Sequence, residues 1–164
     1  MIDPGAHDTQ RIPHVLFLCW GNICRSPMGA VVAAEAAERS GVPGRFSSAG
    51  VSDEEHGNPM DSRAMTVLAD HSYRPGDHTA RQVTPGMLAD VDLVIAAEQH
   101  HLDRLQHLGV DLPELALVSD FDPEANPGDP LPDPWYGGRE DFEQTLAALV
   151  RSMPGLLDRL RELN

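Results

Sequence analysis

Residues Cys19 to Pro27 read Cys-Trp-Gly-Asn-Ile-Cys-Arg-Ser-Pro, a spacing suited to chemistry on an oxyanion. A cysteine thiolate is a strong nucleophile, and the planar fork of Arg25 can grip two oxygens of one phosphate. Gly21 lets the backbone approach an anion closely. Ser26 can hydrogen-bond the sulfur, and Pro27 suits the first turn of a helix, where its missing N–H costs nothing. The string follows the apolar run Val15-Leu16-Phe17-Leu18 and precedes helical periodicity. It therefore links a strand to a helix start, where free amides and the helix dipole make an anion site. The chemistry this arrangement serves is transfer of a phosphoryl group to the Cys19 sulfur. The whole string carries that expectation; alone, Cys19 would read as packed core and Arg25 as surface charge.

A thiolate expels a phenolate poorly without a proton donor. Asp133, between Pro132 and Pro134, is a candidate. Its neighbours hold it rigidly, Trp135 and Tyr136 can wall a pocket, and a carboxyl beside a bound dianion keeps its proton more readily. A solvated loop acid, like Asp120, Asp122 and Asp129, is the other possibility, and the residues alone leave both open.

The elements that position these groups follow from periodicity. Beyond the first strand, Val31, Val32 and Ala36 mark a helix from Met28, stopped by Gly41, Pro43 and Gly44. Phe46 to Val51 predicts a second strand, Asp61 a cap on a helix bearing Ala64, Val67 and Leu68, and Val91 to Ala97 a third strand. Leu102, Leu105 and Leu108 mark a helix ending near Gly109, and Leu115 to Val118 a fourth strand. Five prolines between Asp120 and Gly138 forbid regular structure there. A last helix from Arg139 buries Phe142, Leu146, Leu149, Met153, Leu157 and Leu160, with a kink expected at Pro154. Strand and helix alternate, so a parallel sheet covered on both faces is expected, with its site beyond the strands' carboxyl ends.

The chain has 164 residues, enough for one domain over 12–164; residues 1–11 read as a disordered leader. Twelve Lys+Arg against 26 Asp+Glu give a net charge of −14, which disfavours nucleic acid and anionic membranes as partners. No apolar stretch reaches membrane-span length and no signal peptide is evident, so a cytoplasmic protein is expected. Cys19 and Cys24 share one loop, where a structural disulfide would staple little. His100, His101 and His107 read as solvated helix positions, and no metal is expected.

These residues resemble the low-molecular-weight protein tyrosine phosphatase family from about Val15 onward. Cys19–Pro27 resembles its phosphate loop, with Trp20 in place of the commoner Leu or Thr, and Asp133–Gly137 resembles its general-acid loop. Ser48 to Asp53, Asp61 to Ala64 and His78 to Thr84 are weaker echoes in matching order. The resemblance implies a three-layer α/β sandwich of flavodoxin-like topology, with a four-stranded parallel sheet and helices on both faces. It implies hydrolysis of phosphotyrosine in proteins by a monomer with at most weak self-association, without cofactor. The roles it implies are Cys19 as nucleophile, Arg25 as phosphate clamp and Asp133 as general acid and base. Trp20, Gly21, Asn22, Ile23, Cys24, Ser26, Trp135 and Tyr136 would contact substrate, while Asn22, Ser48 and His78 support the loop.

An aromatic wall residue of the family falls at Glu54, which predicts a preference for basic over acidic flanks. The family's Met-Asp after the third strand is here Ala97-Glu98. Cys24 is either a small packed residue or, by analogy, a reversible disulfide partner for Cys19. Three other functions compete: arsenate reduction, for which further relay cysteines are missing; phosphoarginine hydrolysis, which Ile23 should crowd; and a silent phosphate-binding module, which the joint presence of Cys19, Arg25 and Asp133 disfavours.

Overall fold

Alternation along the first apolar run decides which side of a sheet each residue faces. The computed structural model describes residues 11–164, so all but Arg11 of the expected leader lies outside the described residues. Strand β1 (His14–Cys19) sends Val15, Phe17 and Cys19 into one hydrophobic cluster and Leu16 and Leu18 into another. Strand β3 (Leu93–Ala96) divides likewise, Leu93 and Ile95 against Val94 and Ala96. With β2 (Arg45–Gly50) and β4 (Glu114–Leu117), these form a parallel four-stranded sheet in the order β2-β1-β3-β4. The chain leaves β1 first toward one edge and later toward the other, so a crevice opens at the carboxyl ends of β1 and β3. The expected sandwich is therefore the observed architecture.

One face is covered by α1 (Arg25–Ser40), α2 (Ser62–Asp70) and α5 (Arg139–Leu163). The other carries α3 (Pro85–Leu88) and α4 (Gln99–Gln106). Helix α1 starts three residues before the expected Met28, because the end of the Cys19–Arg25 loop is itself wound into the first turn. Asp61 caps α2 as expected, accepting from the Arg63 amide at 2.8 Å. Helix α5 continues through Pro154, which is exposed, so water can serve the carbonyl its ring leaves without a donor.

The Pro-rich stretch is not wholly solvated. Asp122 is buried and takes two hydrogen bonds from Arg151 of α5, each 3.0 Å. Asp120 accepts from the Leu117 amide at 2.7 Å. The picture of Asp120 and Asp122 as free loop acids is thus corrected: both are spent anchoring the loop.

Candidate active site

Cys19 is the last residue of β1, and the carbonyls of Cys19 and Trp20 accept from Val51 and Ser52 amides at 2.9 and 3.0 Å. The loop then folds over the end of β2. A Cβ on Gly50 would lie 2.6 Å from the Trp20 carbonyl oxygen, so that approach requires glycine. Asn22 is wholly buried with φ at 63°, a left-handed conformation that costs about 1–3 kcal/mol for a non-glycine residue. Its surroundings hold it there. The Asn22 amide donates to the Ser26 and Ser48 hydroxyls, both at 2.9 Å, and its side-chain oxygen accepts from the Arg81 amide at 3.0 Å. The Asn22 carbonyl accepts from His78 Nε2 at 2.6 Å. Burial pushes the His78 pKa down against the pull of that carbonyl, so the neutral ring is the donor.

The Cys19 sulfur lies 2.9 Å from the Ser26 hydroxyl and 3.4 Å from the Ser26 amide. Because Asn22 donates to that hydroxyl, the Ser26 hydrogen is left for the sulfur. Cys24 stands at the N-cap of α1 without making a side-chain cap. Among the described residues, the amides of Gly21, Asn22, Ile23, Cys24 and Arg25 donate to no protein acceptor. Together they form a nest open to an anion. Cys24 itself is buried, and burial, then the negative charges of Asp61 and Cys19, push its thiol pKa far up. The Cys24 thiol is therefore protonated in the folded loop.

Arg25 is 4 % exposed. One guanidinium nitrogen donates to Glu98 Oε2 at 2.8 Å and to the Leu131 carbonyl at 2.6 Å; the other is 3.7 Å from the Asp133 carboxylate. Burial works to raise the Glu98 carboxyl, but the Arg25 hydrogen bond and charge outweigh it and hold the pKa below the usual range. Glu98 thus takes an orienting position on Arg25 despite its extra methylene.

The acid loop is tied from two sides. The Leu131 amide donates to the Ala97 carbonyl just after β3 at 2.8 Å. Arg63 donates to the carbonyls of Trp135 and Gly137 at 3.1 and 3.0 Å and pairs with Asp61 at 3.0 Å. The Asp61 amide in turn donates to the Ile23 carbonyl at 2.9 Å. Asp133 accepts from the Trp135 amide at 3.1 Å, capping a short 3₁₀ turn over Pro134–Tyr136.

These groups line a cleft of about 310 Å³ in which Cys19, Arg25 and Asp133 meet, with Ile23 at the floor loop and Trp135 and Tyr136 at the rim. Trp135 is 41 % and Tyr136 92 % exposed, so both are rim more than wall. Across from them, Glu54 accepts from the Trp20 indole at 3.1 Å, and Arg104 lies over the Trp20 ring. A larger depression of about 1050 Å³ runs between α1, β2 and residues 72–81, and contains none of the three.

Several contributors were not singled out from sequence. Gly50 and Leu131 each act through tertiary approach, for which a residue type alone carries no signal. In sequence Arg63 figures only within the Asp61 to Ala64 echo, which carries no signal of its bonds to the Trp135 and Gly137 carbonyls.

The histidines also need correction. His107 and His100 are exposed, as expected, but His101 is wholly buried. The His100 and His101 rings lie 4.2 Å apart, and with Glu98 they place three possible metal-ligand atoms within 4.8 Å. Two facts oppose a metal there. Glu98 Oε2 is already held by Arg25. His101 Nδ1 accepts from the Glu98 amide at 3.2 Å, so the neutral ring carries its hydrogen on Nε2, the atom facing the carboxylate.

A strand-loop-helix phosphate cradle with a cysteine, a buried arginine and a facing aspartate defines a cysteine-dependent phosphoryl-transfer site. Residues 14–164 match the family described as low molecular weight phosphotyrosine protein phosphatase, and the chain belongs to that family. It is 39% identical over 154 residues to a low molecular weight protein-tyrosine-phosphatase of Streptomyces coelicolor, covering 90% of this chain and 93% of that one. It is 38% identical over 152 residues to low molecular weight protein-tyrosine phosphatase A of Mycobacterium tuberculosis, covering 91% and 92%. The crystal structure of YfkJ from Bacillus subtilis superposes with a TM-score of 0.83 at 26% identity, covering 92% of this chain and 96% of that one.

Proposed function

We propose that this protein hydrolyses phosphotyrosine in proteins, and aryl phosphates generally, through a phosphocysteine. The observation that carries the proposal is the buried Arg25 guanidinium beside the Cys19 loop, 3.7 Å from Asp133. The Cys19 thiolate attacks phosphorus in line with the phenolic oxygen. As the P–O bond breaks, Asp133 passes its proton to that oxygen, and the phenol leaves. The Asp133 carboxylate then takes a proton from water, whose oxygen attacks phosphorus and breaks the P–S bond. Phosphate and thiolate result, the latter stabilised by the Ser26 hydrogen. Arg25 and the nest of amides hold the equatorial oxygens throughout, the electrostatic work a loose transition state needs.

Ile23 supports a flat phenol over a guanidinium as leaving group. Glu54 and Glu55 on the rim support basic residues flanking phosphotyrosine. The free thiols agree with a reducing, cytoplasmic setting, and we take the working form as a monomer with at most weak self-association. Paired peptides bearing phosphotyrosine or phosphoarginine test the substrate class. Faster turnover of the tyrosine peptide is expected, fastest with Arg or Lys flanks, and Glu54→Trp should remove the flank preference. Faster turnover of phosphoarginine would contradict the assignment.

A further inference from the structure

His101 Nε2 is a buried polar atom without a hydrogen-bond partner, on a ring wholly shielded from water. An unpaired buried donor is costly, so its placement calls for a reason. Its other nitrogen is committed: Nδ1 accepts the Glu98 amide at 3.2 Å. That bond fixes the tautomer and turns Nε2–H toward Glu98 Oε2, 3.8 Å away. The same oxygen accepts from Arg25 at 2.8 Å and lies 3.3 Å from His100 Nε2. Arg25 and His100 thus approach that one carboxylate oxygen closely, while the buried His101 is bonded to the Glu98 backbone and holds its Nε2–H facing the same oxygen at a distance.

We propose that His101 is a positioning residue for phosphoryl transfer: it orients the Glu98 carboxylate, and through it the Arg25 guanidinium that grips the phosphate. This rests on the assignment of Arg25 as the phosphate clamp. The ring holds the start of α4 through Nδ1, so the carboxylate pivots from a fixed point. When Arg25 turns toward a dianion, the waiting Nε2–H limits how far Glu98 can follow. Burial, then the charge of Arg25, push the His101 pKa down to about 3, so the ring stays a neutral donor in the working range.

Inhibition by inorganic phosphate, measured alongside turnover of an aryl phosphate, reads this directly. His101→Phe keeps the ring volume but removes the Nδ1 acceptor of the Glu98 amide and the Nε2–H that faces its carboxylate; it should weaken phosphate inhibition about tenfold. His101→Gln, which can restore the backbone acceptor and a donor, should recover most of that loss. In a Glu98→Gln background, His101→Phe should add little. An equal loss in both backgrounds, or an unchanged phosphate constant with only a lower melting temperature, would overturn the proposal. Should the Phe variant fail to fold, nitrogen NMR of the wild-type ring decides: a protonated Nε2 and bare Nδ1 are expected, and the opposite tautomer contradicts it. A wild-type protein neither inhibited by phosphate nor active on aryl phosphates would instead defeat the clamp assignment itself.

Discussion

At the scale of single residues, Asn22 shows how this site stores strain. A left-handed asparagine is unfavourable by itself, and four hydrogen bonds hold it in place, two donated by its amide to the Ser26 and Ser48 hydroxyls and two accepted from the Arg81 amide and His78. Removing its side chain deletes three of those bonds and frees the Ser26 hydroxyl to turn from the sulfur. Asn22→Ala should therefore lower kcat/KM on aryl phosphates by about 100-fold, the scale of a misplaced reacting group. Steady-state kinetics check this, and an unchanged kcat/KM would contradict the loop's dependence on that side chain. Sequence could single out Cys19 and Arg25 by their place in one motif, and Asp133 through the resemblance, because each candidate role needs a particular chemistry. It could not name Gly50, whose necessity comes from the Trp20 carbonyl of another segment. It misplaced His101, because adjacent histidines on a helix say nothing about which one the sheet covers.

At the scale of elements, α2 links the two halves of the site. Its cap residue Asp61 donates to Ile23 of the phosphate loop, and Arg63 two residues on holds Trp135 and Gly137 of the acid loop. The guanidinium also sits over Phe142, 4.7 Å from the ring centre, at the start of α5. Arg63→Ala should let the acid loop drift while the cradle stays intact. The loss in kcat should be about tenfold or more for phenols that leave poorly, since those need the Asp133 proton. For nitrophenol-type leaving groups it should be small. A loss independent of leaving group would show that Arg63 does not act through the acid loop. The helices and strands themselves were legible from periodicity because their apolar faces are continuous. The short α3 and the anchored Asp122 were not, since one is too short for a period and the other depends on Arg151 across the loop.

At the scale of the whole molecule, the histidines and carboxylates whose surroundings displace their pKa values are all pushed down, so they act in one direction of pH. His101 has its pKa pushed down from 6.5 to about 3 by burial and by Arg25 and His100, with Glu98 opposing; burial lowers His78 too. The unfolded chain therefore binds protons that the native state refuses between those values, and stability falls as pH drops below about 6.5. Asp122, hydrogen-bonded by Arg151, and Asp61, where Arg63 outweighs burial, have lowered pKa values. Their stabilisation is present above the ordinary carboxylate range and is lost as pH falls through their native values. Melting temperature should thus decline in two stages on acidification, the first set by histidine. His101→Gln should flatten that first stage, and a wild-type melting temperature constant from pH 7 to about 4.5 would contradict the buried neutral ring.

Rapid acid quench of the enzyme turning over an aryl phosphate, followed by peptide mapping, reports where the phosphoryl group rests. A phosphorylated Cys19 is expected, accumulating further in Asp133→Asn where hydrolysis slows, and absent in Cys19→Ser. Turnover persisting in Cys19→Ser, or phosphate trapped on any other residue of the wild-type protein, would contradict transfer through the Cys19 sulfur.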